Sequence, residues 1–328
     1  MDNPLYYVGI DIAKEKFDVA INFPSPQHRI FNNNPKGFQA FTQWLNKFNA
    51  PFHCLMEATN IYHEDLADFL LEKGFSVSVI NPKYTPNFAK SLNLRSKTDK
   101  IDAKMLLAFA QAYADRLPQY QPPPPAQREL LRKLRQLEHF KSLAQQEKVR
   151  VTMLKDNEAI SLSNDLICYL KQQVMQLEKA ILRLIKNNAM LHHNFKLLRT
   201  IPAIGVQSAC QLLAYLSDGS RFKNGKAAAT FAGVTPMVRQ SGKSLNQRPG
   251  ISKIGQADIR KALFMPAMAF CFGSHKQCVY APFVQRLLRH GKAKKAIIVA
   301  LIRKLITIAQ SVLAHQKPFD EAIFLQKN

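Results

Sequence analysis

Tyr6-Tyr7-Val8-Gly9-Ile10-Asp11-Ile12-Ala13 is a short apolar run that closes on a carboxylate. Phe17-Asp18-Val19-Ala20-Ile21 follows with the alternation of a hairpin partner. Working outward, Lys36 to Phe48 carries helical spacing around Phe38, Phe41, Trp44, Leu45 and Phe48. His53-Cys54-Leu55-Met56-Glu57 reads as a second strand ending in a carboxylate. Ile61 to Glu72 reads as a helix closed by Gly74, and Phe75 to Ile80 as a strand ended by Asn81-Pro82. Asp99 to Ala114 is a further helix, with Leu106, Leu107, Phe109 and Ala110 apolar. Strands followed by helices after an opening hairpin predict an α/β domain with a mixed sheet over residues 1–118.

Pro122 to Pro125 is a four-proline run, expected to be non-helical and to act as a stiff connector. Beyond it Leu130, Leu134 and Leu137, then Leu166, Leu170, Val174, Leu177, Ile181 and Leu184, step by three and four. These spacings predict two long amphipathic helices in a connector over 119–189, broken near Asn157 to Asn164. An antiparallel pair and a dimerising coiled coil both satisfy them. Residues 190–328 are expected to form a mainly α domain. Ile201-Pro202-Ala203-Ile204-Gly205 is a tight turn there between helix-forming segments. Further helices are expected at Ser208–Leu216, Lys226–Phe231, Gln256–Phe270, Val279–Arg289 and Lys292–His315. Gly233 to Gly255, rich in Gly, Ser, Pro and basic residues, is expected to be an ordered functional loop.

The net charge of +23 points to nucleic acid or an anionic membrane as partner. It is unevenly placed. Residues 1–118 hold 13 Lys/Arg against 12 Asp/Glu, 119–189 hold 12 against 7, and 190–328 hold 21 against 4. The first region can host a carboxylate site, and the last reads as a polyanion surface. The apolar share of 47% is enough to bury real cores, which excludes global disorder. Five cysteines without a CxxC pair argue against a disulfide framework or a zinc site and fit a reducing cytoplasm. No membrane association is expected: Asp2, Asp11 and Lys14 interrupt any leader-like run, and Arg303 and Lys304 interrupt the apolar stretch from Ala296 to Ala314.

Four carboxylates stand out. Asp11 and Glu57 end predicted strands, and Asp99 and Asp102 lie three apart at a helix start, on one face. Hard divalent cations need several anionic oxygens in a small volume, and an RNase H-like fold builds such a site from strand-end carboxylates and a helix-borne pair. Two metals there stabilise the attacking and leaving oxygens of a phosphoryl transfer. For Asp99 and Asp102 the plain alternative is helix capping and dipole matching at an N-terminus. Lys97, Lys100 and Lys104 flank the pair as candidate phosphate contacts, or as a solvated helix face. The turn at Gly205 resembles a helix-hairpin-helix, whose backbone N–H groups hold phosphates, although glycine usually stands where Ala203 does. In the Gly233–Gly255 segment Ser241 sits beside Gly242, with Arg239, Lys243 and Arg248 near in sequence. From the residues alone it reads as a polar loop serine, because nothing local deprotonates it. Arg286, Arg289, His290, Lys292, Lys294 and Lys295 form the densest basic cluster, without acidic neighbours, and predict nucleic-acid contact.

Together these residues resemble the DEDD transposases of insertion sequences, the family that includes the Piv-type DNA invertases. The resemblance is carried by Tyr7-Val8-Gly9-Ile10-Asp11, Met56-Glu57-Ala58-Thr59, Val79-Ile80-Asn81-Pro82 and Lys97-Thr98-Asp99-Lys100-Ile101-Asp102-Ala103. In the second half it is carried by Ile201 to Gly205, Phe231-Ala232-Gly233-Val234-Thr235-Pro236, Ser241-Gly242 and Leu263-Phe264-Met265-Pro266-Ala267. It implies an N-terminal RuvC-like domain with Asp11, Glu57, Asp99 and Asp102 holding Mg²⁺, and it makes Ser241 the catalytic serine. It also implies DNA as donor and target, a structured guide RNA, and a homo-oligomer in which the carboxylates of one subunit meet the serine of another. Such a protein would work in the cytoplasm, at the nucleoid. A RuvC-like nuclease of DNA junctions, a site-specific DNA invertase and a non-catalytic nucleic-acid binder are the competing readings.

Overall fold

The structure is a computed structural model of the chain. It describes residues 5–92, 98–237, 239–241, 245–247 and 250–326, with the backbone alone at 239–241, 245–247, 323 and 326. The chain divides into two compact units, Met1–Pro122 and Pro123–Asn328.

In the first unit β1 (Tyr6–Ile12), β2 (Lys16–Ile21) and β3 (Gln27–Asn32) form an antiparallel meander. The chain continues through α1 (Pro35–Asn46), β4 (Phe52–Glu57), α2 (Glu64–Glu72), β5 (Ser76–Ile80), α3 (Thr85–Ser91) and α4 (Asp99–Ala112). The five strands lie in the order β3-β2-β1-β4-β5, with β1, β4 and β5 parallel, so the expected mixed sheet is present. The central strands are buried on both faces, which is why β1 and β4 read as continuous apolar runs rather than alternating ones. Phe38, Phe41, Trp44 and Leu45 of α1 pack with Leu66 and Leu70 of α2 against Val8, Ile10, Phe17 and Met56. Met105, Leu106 and Ala110 of α4 pack with Leu55 and Ile80 in a separate cluster.

In the second unit α5 (Pro125–Val151) and α6 (Asn157–Asn187) form an antiparallel pair, tied by Lys141–Glu178 at 2.9 Å and by an Arg150–Ser163 hydrogen bond at 2.8 Å. Two sequence readings are corrected here. Pro125 begins α5 instead of standing outside it, since a helix's first turn leaves N–H groups unbonded and tolerates proline. The break lies at 152–156, ahead of the expected one, because Asp156 caps α6 through the amides of Glu158 and Ala159. Then follow α7 (Ala189–Arg199), α8 (Val206–Leu216), α9 (Gly225–Phe231), β6 (Arg239–Ser241), β7 (Leu245–Gln247), α10 (Ala257–Phe272), α11 (Ala281–Arg289), α12 (Lys294–His315) and α13 (Glu321–Gln326). Leu130, Leu134 and Leu137 of α5 and Ile181 and Ile185 of α6 share one core with α7 to α12, so the long pair is rooted in this unit. By length and composition α12 could cross a membrane. Instead Ile297, Leu301, Leu305, Ile306 and Leu313 along it are fully buried in the unit's core. The five cysteines are all free thiols.

Candidate functional site

The parallel register pairs Ile10 with Met56, so Asp11 and Glu57 step out together at one end of β1 and β4. On its other side β1 places Asp11 directly opposite Asp18 of β2. Paired cross-strand residues share a face, which makes Asp18, 3% exposed, a fifth carboxylate of the group. The helix-borne pair is brought in by Gly9. A Cβ built there would lie 2.2 Å from the carbonyl oxygen of Ala103 and 2.3 Å from the amide of Leu107. Only a residue without a side chain lets α4 press onto β1, and that contact sets its first turn, with Asp99 and Asp102, above the strand end. Neither aspartate is the N-cap. Thr98 Oγ1 accepts from the amide of Ile101 at 3.3 Å and is the cap, while both aspartates lie in the first turn, where the helix dipole favours them.

The electrostatics record the crowding. Burial pushes Asp11 up to about 7, and the negative charges of Asp102, Asp99, Glu57 and Asp18 push the same way. Lys16 bonds Asp99 at 2.8 Å and approaches Asp18 at 3.4 Å. It holds the Asp99 carboxyl below its ordinary range. His28 Nε2 meets Asp18 Oδ1 at 2.7 Å. Sequence reasoning missed Asp18, Lys16 and His28. The signal for Asp18 was an aspartate inside an otherwise apolar hairpin strand. Lys100 and Lys104 are exposed on α4, and Lys97 lies outside the described residues.

Hard carboxylate oxygens around a partly buried, mutually repelling centre are a donor set suited to Mg²⁺. Among the described residues no three acidic, His or Cys groups already stand at ligating geometry. As the side chains stand, holding an ion here would take rearrangement of the group.

In the second unit the turn before α8 holds Ala203 at φ 75°, the left-handed region that favours glycine. Gly205 is the N-cap of α8. Arg199, exposed and unforeseen, donates from Nη1 to the carbonyl of Ile204 at 3.4 Å and puts a cation beside that helix start. The segment expected as a loop is a two-stranded ribbon. Its rungs run from Gln256 N to Phe231 O (2.9 Å), Lys253 N to Gly233 O (3.1 Å), Ser252 N to Thr235 O (2.9 Å) and Met237 N to Gly250 O (2.7 Å). Arg239 then pairs with Gln247, and Ser241 with Leu245. The backbone of Ser241 and Arg239 is thus on β6, while their side chains, with Lys243 and Arg248, lie outside the described residues. Arg286 and Arg289 end α11, and Lys292, Lys294 and Lys295 lead into α12, all exposed. Lys294 and Lys295 stand in a helix's first turn, where the dipole disfavours cations.

Residues 8–156 match a DEDD-type family described as transposase, and residues 195–280 match the transposase IS116/IS110/IS902 family. The pilin gene-inverting protein of Moraxella bovis is 37% identical over 97% of this chain and 98% of its own. Its namesake from Moraxella lacunata is 36% identical over the same shares. The insertion element IS110 uncharacterized 43.6 kDa protein of Streptomyces coelicolor is 27% identical over 38% of this chain and 31% of its own.

Proposed function

From the membership of this chain in the IS110 transposase family, which makes it a DNA recombinase, we propose a site-specific enzyme that cuts and rejoins DNA through a phosphoserine at Ser241, with Mg²⁺ held by Asp11, Glu57, Asp99 and Asp102. The observation that carries the metal half is the meeting of those four carboxylates at one sheet end. The mixed five-stranded sheet beneath them supports an RNase H-like, RuvC-like reading of the first unit. When bound, Mg²⁺ supplies positive charge to the developing transition state and lowers the pKa of coordinated oxygens.

Ser241 Oγ gives up its proton and forms a bond to phosphorus. The P–O3′ bond breaks, and the 3′-oxygen leaves as a hydroxyl. The serine–phosphate bond conserves the phosphodiester, so attack by another 3′-hydroxyl reseals the strand and frees Ser241. Arg239, Lys243 and Arg248 neutralise the attacked phosphate. Gly205, at the head of α8, together with Lys97, Lys100 and Lys104 and the Arg286–Lys295 cluster, holds the DNA backbone. First-turn lysines on α12 support this, since an anionic partner offsets their place against the dipole. A structured guide RNA and a homo-oligomer joining one subunit's carboxylates to another's serine complete the reading, on the family resemblance. The two Moraxella relatives, named for inverting a pilin gene and matched end to end, favour inversion over insertion.

The test is a denaturing gel of labelled DNA from cells expressing the chain with the DNA that flanks its gene. Wild type forms a covalent adduct, and Ser241→Ala binds DNA without one. An adduct that persists in Ser241→Ala, or is lost only in Ser244→Ala, refutes the serine assignment. Sequencing the RNA that co-purifies tests the guide.

A further inference from the structure

The ribbon that ends at Ser241 is anchored by one side chain from outside it. Arg260, half-buried on the first turns of α10, donates from Nη1 to the carbonyl of Ala232 at 2.8 Å and, more weakly, to that of Gly255 at 3.4 Å. Ala232 enters the ribbon and Gly255 leaves it, so one guanidinium ties both roots to one helix. The sequence makes room for it. A Cβ on Gly233 would stand 2.8 Å from Arg260 Nη1, and one on Gly255 would stand 2.1 Å from the carbonyl oxygen of Phe231. Two residues ahead of Arg260 is a second tie: Asp258 Oδ2 accepts from the hydroxyl of Tyr215 on α8 at 2.6 Å, and the Tyr215 ring lies 6.3 Å from that of Phe231. The root is therefore fixed to α8, α9 and α10, while β6 and β7 stand beyond it.

We propose that Arg260 is a positioning residue for strand cleavage: it touches no DNA and sets the direction in which the ribbon carries Ser241. This rests on the reading of Ser241 as the nucleophile. Ser241 is eight residues beyond Gly233, about 26 Å at ~3.3 Å per residue. Over that length a root tilt of about 5° moves the tip by about 2 Å. A misplacement of about 1 Å at a reacting atom costs on the order of 100-fold in rate. A change at Arg260 thus reaches the chemistry through leverage, with the DNA-binding surface unaltered.

The test uses the full chain with Arg260→Met, which keeps a long apolar stem but removes the donors, and Arg260→Lys, which keeps a cation able to donate. Covalent protein–DNA complexes are trapped by denaturation at intervals after induction, in cells carrying the gene's flanking DNA. Affinity is measured separately on a labelled duplex of mixed sequence. The expected result is adduct formation about 100-fold slower in Arg260→Met, an intermediate rate in Arg260→Lys, and duplex affinity within about twofold of wild type in both. A folded Arg260→Met at the wild-type rate, or an Arg260→Lys whose rate and duplex affinity fall together, overturns the role. Ser241→Ala run alongside separates the two claims: an adduct that survives it refutes the serine reading, and this one with it. Loss of the adduct there, beside wild-type rates at Arg260, refutes the positioning role alone.

Discussion

Replacing Asp11 with asparagine keeps the shape of the side chain and removes its charge from a place where Asp102, Asp99, Glu57 and Asp18 push against it. The folded chain holds Asp11 at about 7, against 3.8 for an ordinary aspartate. A raised carboxylate pKa means that the fold favours the protonated form. Its contribution is neutral below about pH 4 and becomes a cost as the pH climbs through the window from 3.8 to about 7. Three units correspond to a ceiling of about 4 kcal/mol. Asp11 is only half-buried, and solvent screening brings this to about 1–2 kcal/mol. Asp11→Asn at pH 8 in chelator is thus expected to raise the melting point of the first unit by about 4–8 °C. Trp44 is the only tryptophan in the chain and is buried in that unit's core, so its fluorescence reports the unit by itself. The gain should vanish below about pH 4. Added Mg²⁺ should stabilise wild type more than the variant, because binding to the folded state adds stability in proportion to affinity. Recombination should be lost. A variant that melts at or below wild type at pH 8 in chelator refutes the claim that these carboxylates repel one another in the empty site.

Other outcomes follow from the same geometry. Glu57→Ala or Asp102→Ala is expected to abolish recombination while the Trp44 melting transition stays cooperative; near-normal recombination in both would remove the metal assignment. DNA affinity is expected to fall roughly 10³- to 10⁵-fold between about 50 and 200 mM salt if six to ten phosphates are contacted. Neutralising Lys292, Lys294 and Lys295 together should flatten that slope by about three units, and an unchanged slope would mean that the cluster faces only solvent. Ala203 spends about 1 kcal/mol on its left-handed conformation, so Ala203→Gly should melt no lower than wild type, whereas Ala203→Val should lose about 1–2 kcal/mol by thermal unfolding. A clear loss in the glycine variant would show that the turn does not need that conformation.

What was legible in the sequence was what burial writes into it. A strand covered on both faces reads as an unbroken apolar run, so β1 and β4, with the carboxylates that end them, stood out. Gly9 stood in the quoted run, but the helix that leans on it begins only at Asp99, about ninety residues later, and no local pattern announces such an approach. The edge strand β3 was missed because Gln27-His28-Arg29-Ile30-Phe31-Asn32 is half exposed and polar, as edge strands commonly are. With it went His28, the partner of Asp18. The ribbon was read as a loop for a related reason. Its rungs are backbone to backbone, and hydrogen bonds between backbone groups leave no side-chain pattern to read. Arg260 was invisible on the same ground, since its targets are carbonyl oxygens, which every residue has. Ser241 marks a different limit. Its local sequence offers no base to take its proton, so residues alone rate it an ordinary polar serine, and only the order of motifs along the whole chain singles it out. On the proposed reading the groups that activate Ser241 lie outside its segment, and they leave no trace within it. The ribbon that carries it, in contrast, leaves two glycines at its root, Gly233 and Gly255, where a side chain would clash.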